Sequence, residues 1–367
     1  MPRLLLLGAG HAHLTLLRNI GSLHAKGIEV TVIGPGPHHD YSGMAPGMLA
    51  GTYTHRDISF PVQEMVTTRG GRFLEDRAVS IHGQRREVLL DSGRTVSYDV
   101  LSCNTGSTVP TDIVSGDAED VFAVKPIENL HRARRRLLEL LPRHKLRIAV
   151  IGGGPAGLEI AGGVHEMSRR VGGPAPDITL YAGHSLLSGY PLRVEALARR
   201  SLKRRGIAIS EQGYASAVTS SEVVLEHGRR FAADVTFLAV GIRPHSLFHD
   251  SGLSTGPDGG LLVNEFLQCP EHPEIFGGGD CIHFEPLPLA KVGVHAVRQN
   301  PVLAHNLPAF LEGRPLEPFV AKPDYLLIFN LGNGRGIFWK KRLVFDSWPA
   351  FRIKDWIDRR FMRRFQQ

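Results

Sequence analysis

With 367 residues, 42% of them apolar and 22% charged, the chain can bury two or three cores of ordinary globular type. Its 41 glycines follow no three-residue period, which excludes a collagen-like rod, and no apolar run reaches membrane-spanning length. Three cysteines, none in CxxC spacing, exclude a disulfide framework, and the net charge of +7 suits an anionic cofactor or a membrane surface without any nucleic-acid motif beside it.

Leu4-Leu5-Leu6-Leu7 has strand length, too short for a secretion signal, and Gly8 cuts it. Gly8-Ala9-Gly10-His11-Ala12-His13 follows, then a helical pattern through Leu14, Leu16, Leu17, Ile20 and Leu23. Strand, glycine turn and helix open a dinucleotide-binding βαβ unit. Gly8 permits the sharp turn, Gly10 lets a pyrophosphate approach the backbone, and the helix start offers free N–H groups. His13 stands where a third glycine is usual. The second strand, 27–33, runs into Gly34-Pro35-Gly36 without the acidic residue that meets a ribose. Residues 35–51 read as a loop containing Tyr41-Ser42-Gly43-Met44, not helical before Pro46. A helix is predicted over 61–68. Short strands follow within 72–81, 87–90 and 95–96, with a hairpin at Asp91-Ser92-Gly93. Another strand, 98–103, ends in Asn104-Thr105-Gly106.

A basic helix, 127–141, stops before Pro142, and the strand 146–151 feeds Gly152-Gly153-Gly154-Pro155-Ala156-Gly157-Leu158-Glu159. This is a complete GxGxxG between strand and helix, and two such loops in one chain are far more specific than one. The next strand, 178–181, ends in Ala182-Gly183, again without a carboxylate. A helix over 191–205 precedes strands near 207–209, 216–219, 222–225 and 235–240, the last ending in Gly241-Ile242-Arg243-Pro244. Ile275-Phe276-Gly277-Gly278-Gly279-Asp280-Cys281 returns to a sheet, and a helix runs from after Lys291 to about 311. Short strands at 325–330, 335–339 and 343–344 lead to a final helix from 349.

The order of these signals resembles the pyridine nucleotide-disulfide oxidoreductase superfamily, nearly end to end. Within it the chain resembles the branch of type II NADH dehydrogenases and sulfide–quinone reductases. Gly10-His11-Ala12-His13, Tyr41-Ser42-Gly43-Met44, Ala296-Val297-Arg298-Gln299-Asn300-Pro301 and Lys354-Asp355-Trp356-Ile357-Asp358 resemble a subgroup often fused to selenide–water dikinase. The resemblance implies an α/β fold with two Rossmann-like three-layer domains. An FAD domain (1–120 and 249–320) holds an inserted NAD(P)H domain (121–248), and a small C-terminal region (321–367) follows. It implies that Gly8, Gly10, His11 and Ala12 hold the FAD pyrophosphate. Gly34 and Pro35 lie beside the ribose, and Ala78 meets adenine. Ser42, Gly43 and Met44 line the flavin approach, and Thr105 and Gly106 close over the FAD. Gly279 and Asp280 face the ribityl chain. Lys291, Val292 and the helix after them face the flavin, with Lys291 and His295 as candidate catalytic groups. Gly152, Gly154, Pro155, Gly157, Glu159 and Gly241 fall at NAD(P)H positions.

The implied function is an FAD-dependent oxidoreductase passing two electrons from NAD(P)H through flavin to an acceptor such as a quinone. A sulfide- or selenide-oxidising flavoprotein and a non-catalytic FAD-binding regulator are the alternatives. The flavin-side helix departs from the quinone-reducing pattern, with Val294 and Arg298 where glutamines are usual and only Gln299 retained. Cys103 reads as core, Cys281 as a thiol without redox duty and Cys269, before Pro270, as surface. His38-His39-Asp40 and His11-x-His13 lack further spaced ligands, so no metal is expected. In the tail, Ile353, Ile357, Phe361 and Phe365 recur every four residues among arginines. That stripe suits peripheral contact with a membrane, packing on the FAD domain, or a homodimer. The expected location is cytoplasmic, with possible association at the cytoplasmic membrane face.

Overall fold

Leu4, Leu5, Leu6 and Leu7 are each at most 1% exposed. Their strand, Arg3–Leu7, is the middle of a five-stranded sheet in a computed structural model that describes residues 1–116, 118–322 and 324–366. A strand covered on both faces reads as an unbroken apolar run, and each buried leucine contributes about 2 kcal/mol.

The sheet order is Ile275–Gly277, Val100–Cys103, Arg3–Leu7, Glu29–Gly34, Arg72–Glu75, all parallel. From the middle strand the chain moves outward twice, then returns to the other side with Val100–Cys103. At such a reversal the carboxyl ends of adjacent strands part and leave a crevice. A second parallel sheet has the order Val121–Ala123, Val235–Leu238, Arg147–Ile151, Asp177–Tyr181, Ala208–Ser210. Its reversal lies between Arg147–Ile151 and Val235–Leu238. All of its strands come, in sequence, between the fourth and fifth strands of the first sheet. Each unit also carries a three-stranded antiparallel meander, Ala78–His82 with Glu87–Leu90 and Thr95–Ser97, and Ala215–Val218 with Glu222–Leu225 and Arg230–Ala232.

Several expectations change in detail. The helix after the first glycine loop is two pieces, Leu14–Arg18 and Ile20–Ala25, because the Asn19 backbone (φ −95°, ψ 6°) leaves the helical region between them. The loop 35–51 contains a short 3-10 turn, Ser42–Met44, and a helix, Ala45–Leu49. Pro46 sits in the first turn of that helix, where a missing N–H is harmless. Cys269 is fully buried rather than at the surface; its N–H donates to Ile275 O at 2.8 Å, which draws the loop under the sheet.

The C-terminal strands Leu327–Asn330, Gly336–Lys340 and Leu343–Ser347 form an antiparallel sheet. The final helix, Trp348–Phe365, starts on Ser347, whose hydroxyl accepts the Ala350 N–H. The four-residue stripe of that helix is divided. Phe361 stacks on His11 at 5.6 Å and Phe365 is buried, whereas Ile353 and Ile357 stay exposed beside Trp348 and Trp356. Among the described residues no helix is long and apolar enough to cross a membrane.

Candidate functional site

The first crevice is built around Asn104. A Cβ on Gly8 (φ +81°) would lie 2.3 Å from Asn104 O, and one on Gly10 would lie 2.3 Å from Asn104 Oδ1. Both glycines are therefore fixed by the turn that crosses them. Asn104 Oδ1 accepts the Ala12 N–H (3.2 Å), and Asn104 Nδ2 donates to Gly278 O (2.6 Å). One side chain thus joins the turns after three strands. His13, in place of a third glycine, is fully buried, with Nδ1 2.7 Å from Gly8 O and Nε2 2.8 Å from Ser102 Oγ. Burial pushes its pKa down to about 4, so the ring is a neutral brace for the loop.

Asp280 follows Gly279, whose N–H donates to Gln299 Oε1 at 2.7 Å. Asp280 Oδ2 lies 2.6 Å from Lys125 Nζ and 2.9 Å from Ser107 Oγ. Burial alone raises this carboxyl, but Lys125 and Ser107 outweigh it and hold the group below the usual carboxylate range. Lys125 and Asn104 are the site residues that sequence reading missed. Their partners are 155 and 92 residues away, beyond any local motif.

Gly279, Asp280, Lys291, Val292, His295 and Gln299 line one pocket. Val292 is the extended residue before the helix Gly293–Leu311. Lys291 pairs with Asp258 at 2.7 Å and donates to Ile282 O. His295 is buried against Tyr325, and burial, then Arg298, lower its pKa. Arg298 itself reaches out to the carbonyls of Lys322 and Asp324.

Four buried side-chain atoms around this crevice have no hydrogen-bond partner among the described residues: His11 Nε2, His39 Nε2, Thr105 Oγ1 and His295 Nδ1. Buried polar atoms are rarely left so; the resemblance assigns His11 and Thr105 to FAD and makes His295 a candidate catalytic group beside the flavin. The donor set fits an extended dinucleotide. Burial and neighbouring His39 push His11 down to about 3, so it is a neutral donor or acceptor. Gly106 (φ +74°) has open space where a Cβ would stand. Farther along, Gly34 is buried, Pro35 exposed, and Glu75 pairs with Gly34 on the next strand. Ala78 begins the meander. Ser42, Gly43 and buried Met44 form the 3-10 turn, and Gly43 O accepts from Lys354 Nζ at 2.8 Å.

The second crevice repeats the plan. Gly152 (φ +128°) could not carry a Cβ, which would lie 2.3 Å from Ala239 O, and a Cβ on Gly157 would lie 1.8 Å from Gly152 O. Gly154 is extended, caps the helix Pro155–Val171, and faces open space, with Pro155 opening the helix. Gly241 is exposed at the end of the adjacent strand's turn, where Thr108 and Arg243 exchange backbone hydrogen bonds between the two units. Glu159 Oε1 accepts the Asn330 N–H at 2.6 Å. Burial pushes its pKa up to about 7 against the opposing pull of Lys354. That lysine pairs with Asp358 at 2.7 Å, and Asp358 accepts from Tyr41 OH at 3.0 Å.

All three cysteines are free and buried, and burial raises each thiol pKa. None is an activated thiolate.

The family described as "Pyridine nucleotide-disulphide oxidoreductase" matches residues 2–306. A "Probable NADH dehydrogenase" of Dictyostelium discoideum is 23% identical over 91% of the chain and 80% of its own length. The "Demethylphylloquinone reductase NdbB" of a Synechocystis strain is 24% identical over 97% and 93%. The sulfide:quinone oxidoreductase structure from Aquifex aeolicus superposes with a TM-score of 0.81 at 18% identity, covering 100% of this chain and 92% of that one. That structural likeness concerns the fold alone.

Proposed function

The chain belongs to the pyridine nucleotide-disulphide oxidoreductase family and is an FAD-dependent NAD(P)H oxidoreductase; on that premise we propose that it delivers two electrons from NAD(P)H to a quinone at a membrane surface. The observation that carries the reading is the pair of glycine cradles, each at a sheet reversal, the first rimmed by unpartnered buried polar atoms and the second open above Gly154.

FAD in the first crevice supplies the hydride-accepting chemistry. Gly8, Gly10, His11 and Ala12 bind its pyrophosphate, Gly34, Pro35, Glu75 and Ala78 flank the adenosine end, and Thr105 and Gly106 close the turn. Asp280, kept ionised by Lys125, accepts a hydrogen bond from the ribityl chain. Val292 and the helix start behind it would present backbone N–H groups to a bound flavin and favour negative charge there. Lys291 acts by holding that segment through Asp258 rather than by touching reactants. His295, neutral and buried against Tyr325, is the candidate proton donor. Gly152, Gly154, Pro155, Gly157 and Gly241 position the nicotinamide nucleotide, and Glu159 braces this unit against the C-terminal sheet. The division 1–120, 121–248, 249–320 and 321–367 belongs to the same reading.

Two relatives named as an NADH dehydrogenase and a demethylphylloquinone reductase favour a quinone acceptor. So do the exposed Trp348, Ile353, Trp356 and Ile357, which share the final helix with six basic residues (Arg352, Lys354, Arg359, Arg360, Arg363 and Arg364) and could rest on an anionic leaflet. The buried, unactivated thiols favour this route over sulfide oxidation through a cysteine pair. The test is Gly154→Val, which fits an extended backbone and fills the second cradle. The variant should keep its flavin and fold but lose NAD(P)H-driven reduction of a soluble quinone by at least about a hundredfold, roughly 3 kcal/mol. Wild-type turnover in that variant would reject the second cradle as the nucleotide site.

A further inference from the structure

We propose that Asp40, His55 and His131 form an open site for one divalent transition-metal ion of the zinc class, tying the segment before the first meander to the helix Glu128–Leu140.

Asp40 is 8% exposed, and its two oxygens face two imidazoles. Oδ1 is 3.1 Å from His55 Nε2, and Oδ2 is 2.8 Å from His131 Nε2. One ligand atom from each residue lies within 4.8 Å of the others. Two imidazoles and a carboxylate are a donor set for zinc and its neighbours, and three protein ligands leave a position for water. Around a tetrahedral ion with bonds of about 2.0 Å the donors stand about 3.3 Å apart. The group therefore needs to contract by at most about 1.5 Å. The exposed ring of His55 can supply that movement.

Each ligand is held by a different element. Asp40 pairs with Ser59 in a short antiparallel bridge. His55 opens the helix His55–Ile58, whose start is fixed by the reciprocal Thr54–Asp57 capping bonds. His131 lies near the start of Glu128–Leu140 and meets the His55 ring edge-on at 4.4 Å. His55 and His131 side chains are 54% and 24% exposed, so an ion can enter from solvent. The three positions are up to 91 residues apart, which is why His38-His39-Asp40 read from sequence offered no complete ligand set. An ion here would replace the two imidazole–Asp40 hydrogen bonds with bonds to the metal.

The test uses chelator-treated flavoprotein titrated with Zn2+ by calorimetry and with Co2+ by visible absorption. One ion per chain should bind, with a Co2+ ligand-field band and a rise in melting temperature. His55→Ala and His131→Ala, both at accessible positions, should each weaken binding at least about tenfold, because loss of a ligand exceeds the usual effect of losing a supporting partner. His184→Ala, a remote histidine beside Glu226, should not. Absence of a stoichiometric Co2+ band, or equal binding by the His55→Ala/His131→Ala double variant, would overturn the proposal.

Discussion

Asn104→Ala removes the side chain that joins three turns of the first crevice. Two hydrogen bonds vanish, from the Ala12 N–H at 3.2 Å and to Gly278 O at 2.6 Å. Each is worth about 1 kcal/mol net, and the buried partners left behind add a desolvation penalty of about 1–3 kcal/mol where water cannot reach them. A loss of about 2–4 kcal/mol is expected, divided between the stability of the flavin-free fold and the affinity for FAD. If about 2 kcal/mol falls on affinity, FAD binding weakens about 30-fold. The space vacated lies against Gly10, where a Cβ would meet Asn104 Oδ1, so the loop gains freedom as well as losing bonds. Urea unfolding of the apoprotein and flavin-fluorescence titration separate the two shares. Asn104→Asp keeps an acceptor for Ala12 and loses the donor to Gly278, so it should also be impaired. Wild-type stability together with wild-type FAD affinity in Asn104→Ala would refute the idea that this residue organises the cradle.

Lys354→Met leaves Asp358 with only Tyr41 as partner and frees Gly43 O; breaking this buried pair should destabilise the protein by about 3–5 kcal/mol in urea unfolding, and a change below about 1 kcal/mol would contradict the packing described. Glu159 has a folded-state pKa of about 7 against an ordinary 4.5. The folded state therefore keeps a proton that the unfolded chain has lost, and wild-type stability should fall as pH rises from about 4.5 to about 7, then level off. Glu159→Gln should remove that fall, with slopes differing by at most about 1.4 kcal/mol per pH unit; parallel pH–stability curves would argue against a raised Glu159. Trp348→Ala/Trp356→Ala should reduce sedimentation with anionic vesicles while leaving flavin content unchanged, and unaltered sedimentation would remove the final helix as the membrane contact.

Features set by local sterics were legible in the sequence. Gly8, Gly152 and Gly157 are glycines because a Cβ has nowhere to go, and such demands leave a fixed spacing between strand and helix. The apolar run 4–7 announced a strand covered on both faces. Features set by distant partners were not legible. His13 departs from the fingerprint but braces it through Ser102, 89 positions later. Lys125 gives no local sign that it will fix the charge of Asp280. Cys269 looked exposed because Pro270 and polar neighbours surround it, yet its backbone bond to Ile275 draws it inward. The four-residue stripe of the tail correctly marked a helix, but periodicity does not tell a buried partner from an open surface. Phe361 found His11, while Ile353 and Ile357 found none.

The central claim is that the two cradles act as one electron path. Purified protein, reconstituted with FAD, should be yellow and should lose its flavin absorbance under anaerobic conditions on addition of about one equivalent of NADH or NADPH, regaining it when a quinone is added. A protein that takes up no FAD, or a bound flavin that neither nucleotide reduces, would contradict the account.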